Sequence, residues 1–308
     1  MSRKIVIVAD PGIDTAFAVA LALNDPNLDV LGLLPTAGNV TAEQATANVH
    51  TLIDVIDPPK WPKLAAALPA RYDADGTALH GPGGLGGATF PSATRHTLHP
   101  ADKVLCELAH EYPRQVTVVN LGPLTTLAAA LDRDPTLPAV LDQTVIIGGA
   151  WNVPGNAGPT AEFHVHLDPD AAKRVLHGEL HPLLIPLDVT RKLVFSPSDL
   201  LELPNPDSRT CQFLRKIVPF GIRASSNLYG IEGFHLKDVL GTVAVAVPAL
   251  VASEPHYVDV ETRGELTRGM TVVDARPSPT AAPNCRVATS VSVAEVRDYI
   301  MKVLKQAT

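Results

Sequence analysis

An α/β fold built on an open, largely parallel, doubly wound sheet is the architecture this sequence predicts. Three observations carry that expectation. Short apolar runs rich in β-branched residues alternate with longer Ala/Leu-rich segments, the rhythm of strand, crossover helix and parallel strand. The first run, Ile5–Ala9, ends on Asp10, turns through Pro11-Gly12 and delivers a second acid, Asp14, at the mouth of a helix. Near the C-terminus the pattern changes to alternating apolar and polar residues, which signals a small antiparallel hairpin.

Taken in order, Ile5–Ala9, Leu28–Pro35, Val116–Leu121, Thr144–Gly148 and Pro182–Leu187 read as buried strands. Ala16–Leu23, Ala42–Ile56, Ala101–Glu111, Leu124–Leu131, Pro169–Leu176, Pro197–Leu203 and Val239–Val247 read as helices. Tyr257–Glu261 and Met270–Asp274 form the hairpin, joined through Gly264, and a helix from Ser292 to Lys305 closes the chain. The chain carries no internal repeat, low-complexity tract or linker, so residues 1–308 are read as one domain.

Composition removes several functions. A hydrophobic content of 46% supports a large core, and a net charge of -7 argues against nucleic acid or an anionic membrane as partner. No long uncharged apolar run suggests a membrane span. The basic N-terminal residues are followed too soon by Asp10 and Pro11 for a signal peptide. Cys106, Cys211 and Cys285 are odd in number, far apart and without CxxC spacing, so buried thiols in a reducing cytoplasm are expected.

A strand that feeds a helix through a tight turn places side chains at the carboxyl edge of the sheet, where open α/β folds bind ligands. Capping accounts for one acid there, Asp14, but not for both. Other polar or Gly-rich segments read as part of the same edge: Thr36–Val40, the loop His80–Gly87, Asn120–Thr126, Gly155–His164 and Gly233–Asp238. The His80–Gly87 loop reads as either a lid over a ligand or a mobile surface loop. GxxxxGK[ST], GxGxxG after a strand and GxSxG are all absent, which removes phosphate loops, dinucleotide folds and a serine elbow. What remains is a set of carboxylates, amides and carbonyls. Such oxygens suit calcium or magnesium, or a polyhydroxylated ligand such as a sugar.

From Ile5 to the C-terminus the chain resembles the inosine-uridine-preferring nucleoside hydrolases. The resemblance rests on Asp10-Pro11-Gly12-Ile13-Asp14, Gly38-Asn39-Val40, Gly122-Pro123-Leu124-Thr125, Gly155-Asn156 with Ala161-Glu162-Phe163, Leu187-Asp188-Val189-Thr190, Lys237-Asp238 and Arg268-Gly269-Met270-Thr271. It implies hydrolysis of the N-glycosidic bond of a ribonucleoside, with a calcium ion at the floor of the pocket. Asp10 is then a metal ligand and the base that activates water, with Asp238 and the Thr125 carbonyl as further ligands. Asp14, Asn39, Asn156, Glu162 and Asp238 fall where the family holds the ribose. A homodimer or homotetramer is implied too. Carboxylates around the sugar suit the chemistry, because the transition state has oxocarbenium character.

Four departures from that pattern stand out. Val8 replaces the first acid of the DxDPGxDDA motif, Thr15 replaces an acid that is normally a metal ligand, His164 replaces a ribose-binding amide, and Lys237 replaces a histidine linked to protonation of the leaving base. Thr15 removes a negative charge and Lys237 adds a positive one near the metal pocket, so weaker calcium binding is expected. Alternatively, waters and the Thr15 hydroxyl complete the shell, since calcium accepts irregular geometry. Two other functions remain open from sequence: a ribose-binding protein without a competent metal site, and a hydrolase for a related non-nucleoside glycoside.

Overall fold

The alternation of side chains along β1 (Arg3–Ala9) sets the layers of this protein. Ile5, Ile7 and Ala9 point into one apolar core, and Val6 and Val8 into another on the opposite face. A strand covered on both faces needs apolar residues throughout, and residues 5–9 of β1 are fully buried. The computed structural model describes residues 2–91 and 98–307; Met1, part of the N-terminal segment read above, lies outside them.

The remaining strands are β2 (Leu28–Pro35), β3 (Lys63–Leu64), β4 (Val116–Asn120), β5 (Gln143–Ile147), β6 (Leu183–Ile185), β7 (Val194–Phe195), β8 (Phe234–His235), β9 (Val251–Val260), β10 (Thr271–Asp274) and β11 (Cys285–Val291). The main sheet runs β10-β9-β11-β6-β5-β4-β1-β2-β3. Every pair from β3 to β11 is parallel, whereas β9 is antiparallel to both β11 and β10. Chain order reverses between β1 and β4, the place where doubly wound sheets open a crevice at their carboxyl ends.

Helices cover both faces. Ile13–Asn24, Ala42–Ile56, Arg209–Tyr229, Val239–Ala246 and Val293–Lys305 pack on the Ile5/Ile7 side, and Ala101–Glu111, Thr125–Arg133 and Pro169–Leu176 on the Val6/Val8 side. No described helix is long and apolar enough to cross a membrane. All three cysteines are buried free thiols.

Sequence and structure differ in three places. The C-terminal hairpin exists, but its first strand is ten residues long and joins the main sheet through β11, a strand the sequence reading did not find. The 21-residue helix Arg209–Tyr229 was also missed. His80–Gly87 is neither open lid nor loose surface loop. Asn48 Nδ2 donates to the carbonyls of Pro11 and Gly83 at 3.0 and 2.8 Å, and His80 is buried, so the segment is stitched to the β1 turn.

Candidate active site

Asp10 sits one residue beyond β1, fully buried at the switch point. Its surroundings explain two of the glycines in the motifs. A Cβ on Gly38 would lie 2.1 Å from Asp10 Oδ2, and one on Gly122 would lie 3.0 Å from Oδ1. Only glycine lets the turns after β2 and β4 close on the carboxylate in this way. The Asn39 backbone N–H donates to Asp10 Oδ2 at 2.9 Å, and its side-chain amide donates to the Asp10 carbonyl at 3.0 Å. Asn39, expected as a ribose ligand, is therefore turned to holding Asp10 in place.

The helix after the turn starts at Ile13 with Gly12 as its cap, so Asp14 lies in the first turn and caps nothing. Asp14 Oδ1 is buried without a hydrogen-bond partner among the described residues. Its near neighbour His80 offers no proton: Nδ1, 3.9 Å away, accepts the Ile13 N–H at 3.0 Å. Burial, with smaller opposition from Asp14, pushes the His80 imidazole down to about 4. At neutral pH the His80 ring beside Asp14 is neutral.

Thr15 and Asp238 meet from opposite ends of the chain. The Thr15 hydroxyl donates to Asp238 Oδ2 at 2.5 Å and lies 3.5 Å from Asp10 Oδ1. Asp238 precedes the helix Val239–Ala246 without a side-chain capping bond. Burial raises the Asp238 carboxyl well above the usual range, reinforced by Asp14 and Asp10 and opposed by His164. Asp10 is raised as well, by burial first, against His164 and the Asn39 N–H.

Glu162 and His164 complete the cluster. Glu162 Oε2 caps the turn Phe163–Leu167, accepting from the N–H groups of His164 and Val165 at 3.0 and 3.3 Å. Thr271 steadies this corner: its hydroxyl accepts from the Ala150 N–H and donates to the Ala150 carbonyl. The neighbouring Gly149 N–H in turn donates to Glu162 Oε2. His164 Nε2 stands 3.3 Å from Asp10 Oδ2, and Nδ1 stands 3.7 Å from Glu162 Oε1. Burial alone would lower the His164 pKa, but Asp10 and Glu162 outweigh it and lift the ring to about 10. His164 is thus an imidazolium at neutral pH.

Beside the cluster lies a cavity of about 330 Å³ lined by Asn156, Lys237, His235, Arg191, Ser225 and Tyr229 among others. Asn156 Oδ1 accepts from the Phe163 N–H at 2.8 Å. Lys237 is partly buried. Burial works to lower its pKa, but Asp14, Glu162 and Asp238 prevail and hold the ammonium above the ordinary lysine value. Burial, Lys237 and Arg191 drive His235 the other way, to about 4, so it faces the cavity as a neutral ring. His235, Arg191 and His80 were given no role from sequence; His235 and His80 lie in segments read as polar or Gly-rich, and Arg191 has no local signal.

The ligand expected from Thr125 is its backbone carbonyl; its side chain is engaged elsewhere. Its hydroxyl donates to Asp168 Oδ2 at 2.6 Å and meets the Tyr72 hydroxyl at 3.1 Å. The structure thus brings Asp10, Asp14, Glu162, His164, Lys237 and Asp238 together, with Asn156 at the cavity wall. It assigns Asn39 to support and turns the Thr125 hydroxyl elsewhere.

Buried acids at the switch point of a parallel sheet, beside a cavity lined in part by polar side chains, define a candidate active site of an α/β enzyme. The family described as inosine-uridine preferring nucleoside hydrolase matches residues 5–298. The chain belongs to that family and is a ribonucleoside hydrolase, an enzyme that cleaves N-glycosidic bonds of small-molecule nucleosides. It is 32% identical over 310 residues to the non-specific ribonucleoside hydrolase RihC of Shigella boydii serotype 18, covering 100% of both chains. It is also 32% identical over 277 residues to a probable uridine nucleosidase 2 of Oryza sativa subsp. japonica, covering 88% of this chain and 82% of the relative. A solved plant nucleoside hydrolase superposes with a TM-score of 0.92 at 29% identity, covering 99% of each chain. The catalytically weak ribose-binding protein and the non-nucleoside glycosidase are not favoured by these relatives. Nucleoside hydrolases are metal-dependent as a family.

Proposed function

We propose that Asp10 is the general base of nucleoside hydrolysis and that the acids around it bind the ribose and stabilise its developing positive charge. The observation that carries this reading is the partnerless, buried Asp14 oxygen beside Asp10, Glu162 and Asp238. Four buried acids gather around two basic side chains, His164 and Lys237, and burial raises the carboxyls of Asp10 and Asp238. Ionising such groups is costly in a core, and an oxocarbenium-like ribosyl group is a fitting counterpart. It gains more from these acids than the neutral substrate does, which is the requirement for catalysis.

In this mechanism Asp10 removes a proton from water as the oxygen attacks the anomeric carbon. The C–N bond breaks with its electron pair leaving on the base, which is then protonated. Asp14 accepts hydrogen bonds from ribose hydroxyls, Asn156 donates its side-chain amide, and Glu162 lines the same side. The departing base lies in the 330 Å³ cavity. Lys237 donates a hydrogen bond to it as a fixed cation, and neutral His235 and Arg191 offer further contacts.

The resemblance calls for calcium held by Asp10, Asp238, the Thr125 carbonyl and Thr15. The donor set here does not fit it. Among the described residues no three His, Cys, Asp or Glu side chains are grouped to hold a metal ion. A hydroxyl stands at position 15 where the pattern has a carboxylate, and it is already committed to Asp238. No step above passes through a metal. A cytoplasmic location, a homodimer or homotetramer, and one domain over residues 1–308 complete the reading, carried over from the sequence.

Release of ribose from a panel of purine and pyrimidine nucleosides tests the proposal. Reducing sugar should appear with at least one of them in equal amount to free base. Base released without reducing sugar, or no release from any, would refute it.

A further inference from the structure

Three substituted positions converge on the same pair of carboxylates. Relative to the family pattern the chain lacks an acid at Thr15, has His164 in place of an amide and has Lys237 in place of a histidine. These changes are 149 and 73 residues apart in sequence (164 − 15 and 237 − 164), yet the fold gathers them. Thr15 Oγ1 lies between Asp238 Oδ2 at 2.5 Å and Asp10 Oδ1 at 3.5 Å. His164 Nε2 stands 3.3 Å from Asp10 Oδ2, and Lys237 is the chain neighbour of Asp238.

A divalent cation joining Asp10 to Asp238 needs six to eight oxygens at ~2.3–2.6 Å. Asp10 Oδ2 already takes the Asn39 N–H at 2.9 Å and faces a ring nitrogen on its other side. Asp238 Oδ2 takes the Thr15 hydroxyl. Thr15 takes away a carboxylate that a cation would need, and the His164 ring fills the space against Asp10 Oδ2.

We propose that the His164 imidazole and the Thr15 hydroxyl stand where a divalent cation would otherwise link Asp10 to Asp238, so that this enzyme hydrolyses nucleosides without binding a metal ion there. The inference rests on the reading of Asp10 as the base. It gives His164 a second duty: its ring fixes the Asp10 carboxylate, while Nδ1, buried without a hydrogen-bond partner among the described residues, is free to meet a ribose hydroxyl. His164 is in this sense a positioning residue for Asp10.

Calorimetric titration of the chelator-treated full-length protein with calcium tests this directly, with thermal unfolding and ribose release measured in parallel. The wild type should give no binding heat, a Tm within about 1 °C with or without calcium, and a hydrolysis rate in chelator within about twofold of that in calcium. The double variant Thr15→Asp with His164→Asn should regain the site, and saturating calcium should raise its Tm by about 5 °C. Uptake of one calcium ion by the wild type at a Kd below ~1 mM would overturn the proposal. So would activity lost in chelator and restored by calcium. A double variant that folds but gains no calcium response would overturn the assignment of these two side chains; if it does not fold, Thr15→Asp alone carries the same comparison. Absence of ribose release under every condition would count against Asp10 as base, while the calorimetry would still decide the metal question.

Discussion

Asp10→Asn should keep the fold and lower kcat by about 10²–10⁴-fold, the usual cost of removing a general base. The substitution is nearly isosteric, so the close approach of Gly38 and Gly122 to the carboxylate is preserved. The Asn39 N–H can still donate to the remaining side-chain oxygen. A change in far-ultraviolet circular dichroism would mean that the loss arises from folding; the expected result is an unchanged spectrum with turnover nearly gone. Near-normal turnover in Asp10→Asn would remove Asp10 from the mechanism.

Lys237→Met should divide substrates by their leaving groups. The acids around Lys237 hold its ammonium above the ordinary lysine pKa even though burial opposes them. Proton donation at neutral pH is therefore inefficient, and a charged hydrogen bond to the departing base is the more effective role. Natural nucleosides, with poor leaving bases, should lose roughly ten- to hundredfold in kcat. A nitrophenyl riboside, whose leaving group needs no such help, should be nearly unaffected. If both substrates fall equally, Lys237 merely braces the loop beside Asp238.

The parts of the site that were legible in sequence are those fixed by local geometry. Asp10 and Asp14 were visible because a strand, a Pro-Gly turn and a helix must place them at one sheet edge. Gly38 and Gly122 were visible as motif members, and the structure supplies the reason: a Cβ at Gly38 would clash with Asp10, and one at Gly122 would clash with Thr36 and crowd Asp10. The parallel core was readable for a similar reason, since β1, β2 and β4 are continuous apolar runs.

What escaped depends on contacts between distant segments. The helix Arg209–Tyr229 hides its period behind Pro219, Gly221 and several basic residues, and only packing against the Ile5/Ile7 face reveals it. The seven-residue strand β11 is partly exposed and irregular in its alternation, so it resembles a loop until it is seen between β6 and β9. Side-chain duties are harder still. Asn39 carries a ribose-binding signature but spends its donors on Asp10. His164 reads as a changed ribose contact, yet the fold sets its ring against Asp10. His80 gives no sign in sequence of accepting the Ile13 N–H.

The central claim is that these buried acids are matched to a positively charged ribosyl group. The most direct measurement compares the binding of ribose with that of a cyclic amine bearing the same hydroxyl pattern, protonated where the oxocarbenium charge develops. The cationic analogue should bind at least ~10²-fold tighter than ribose, and Asp14→Asn should remove a large part of that advantage. Equal affinity for the neutral and the cationic sugar would contradict the account.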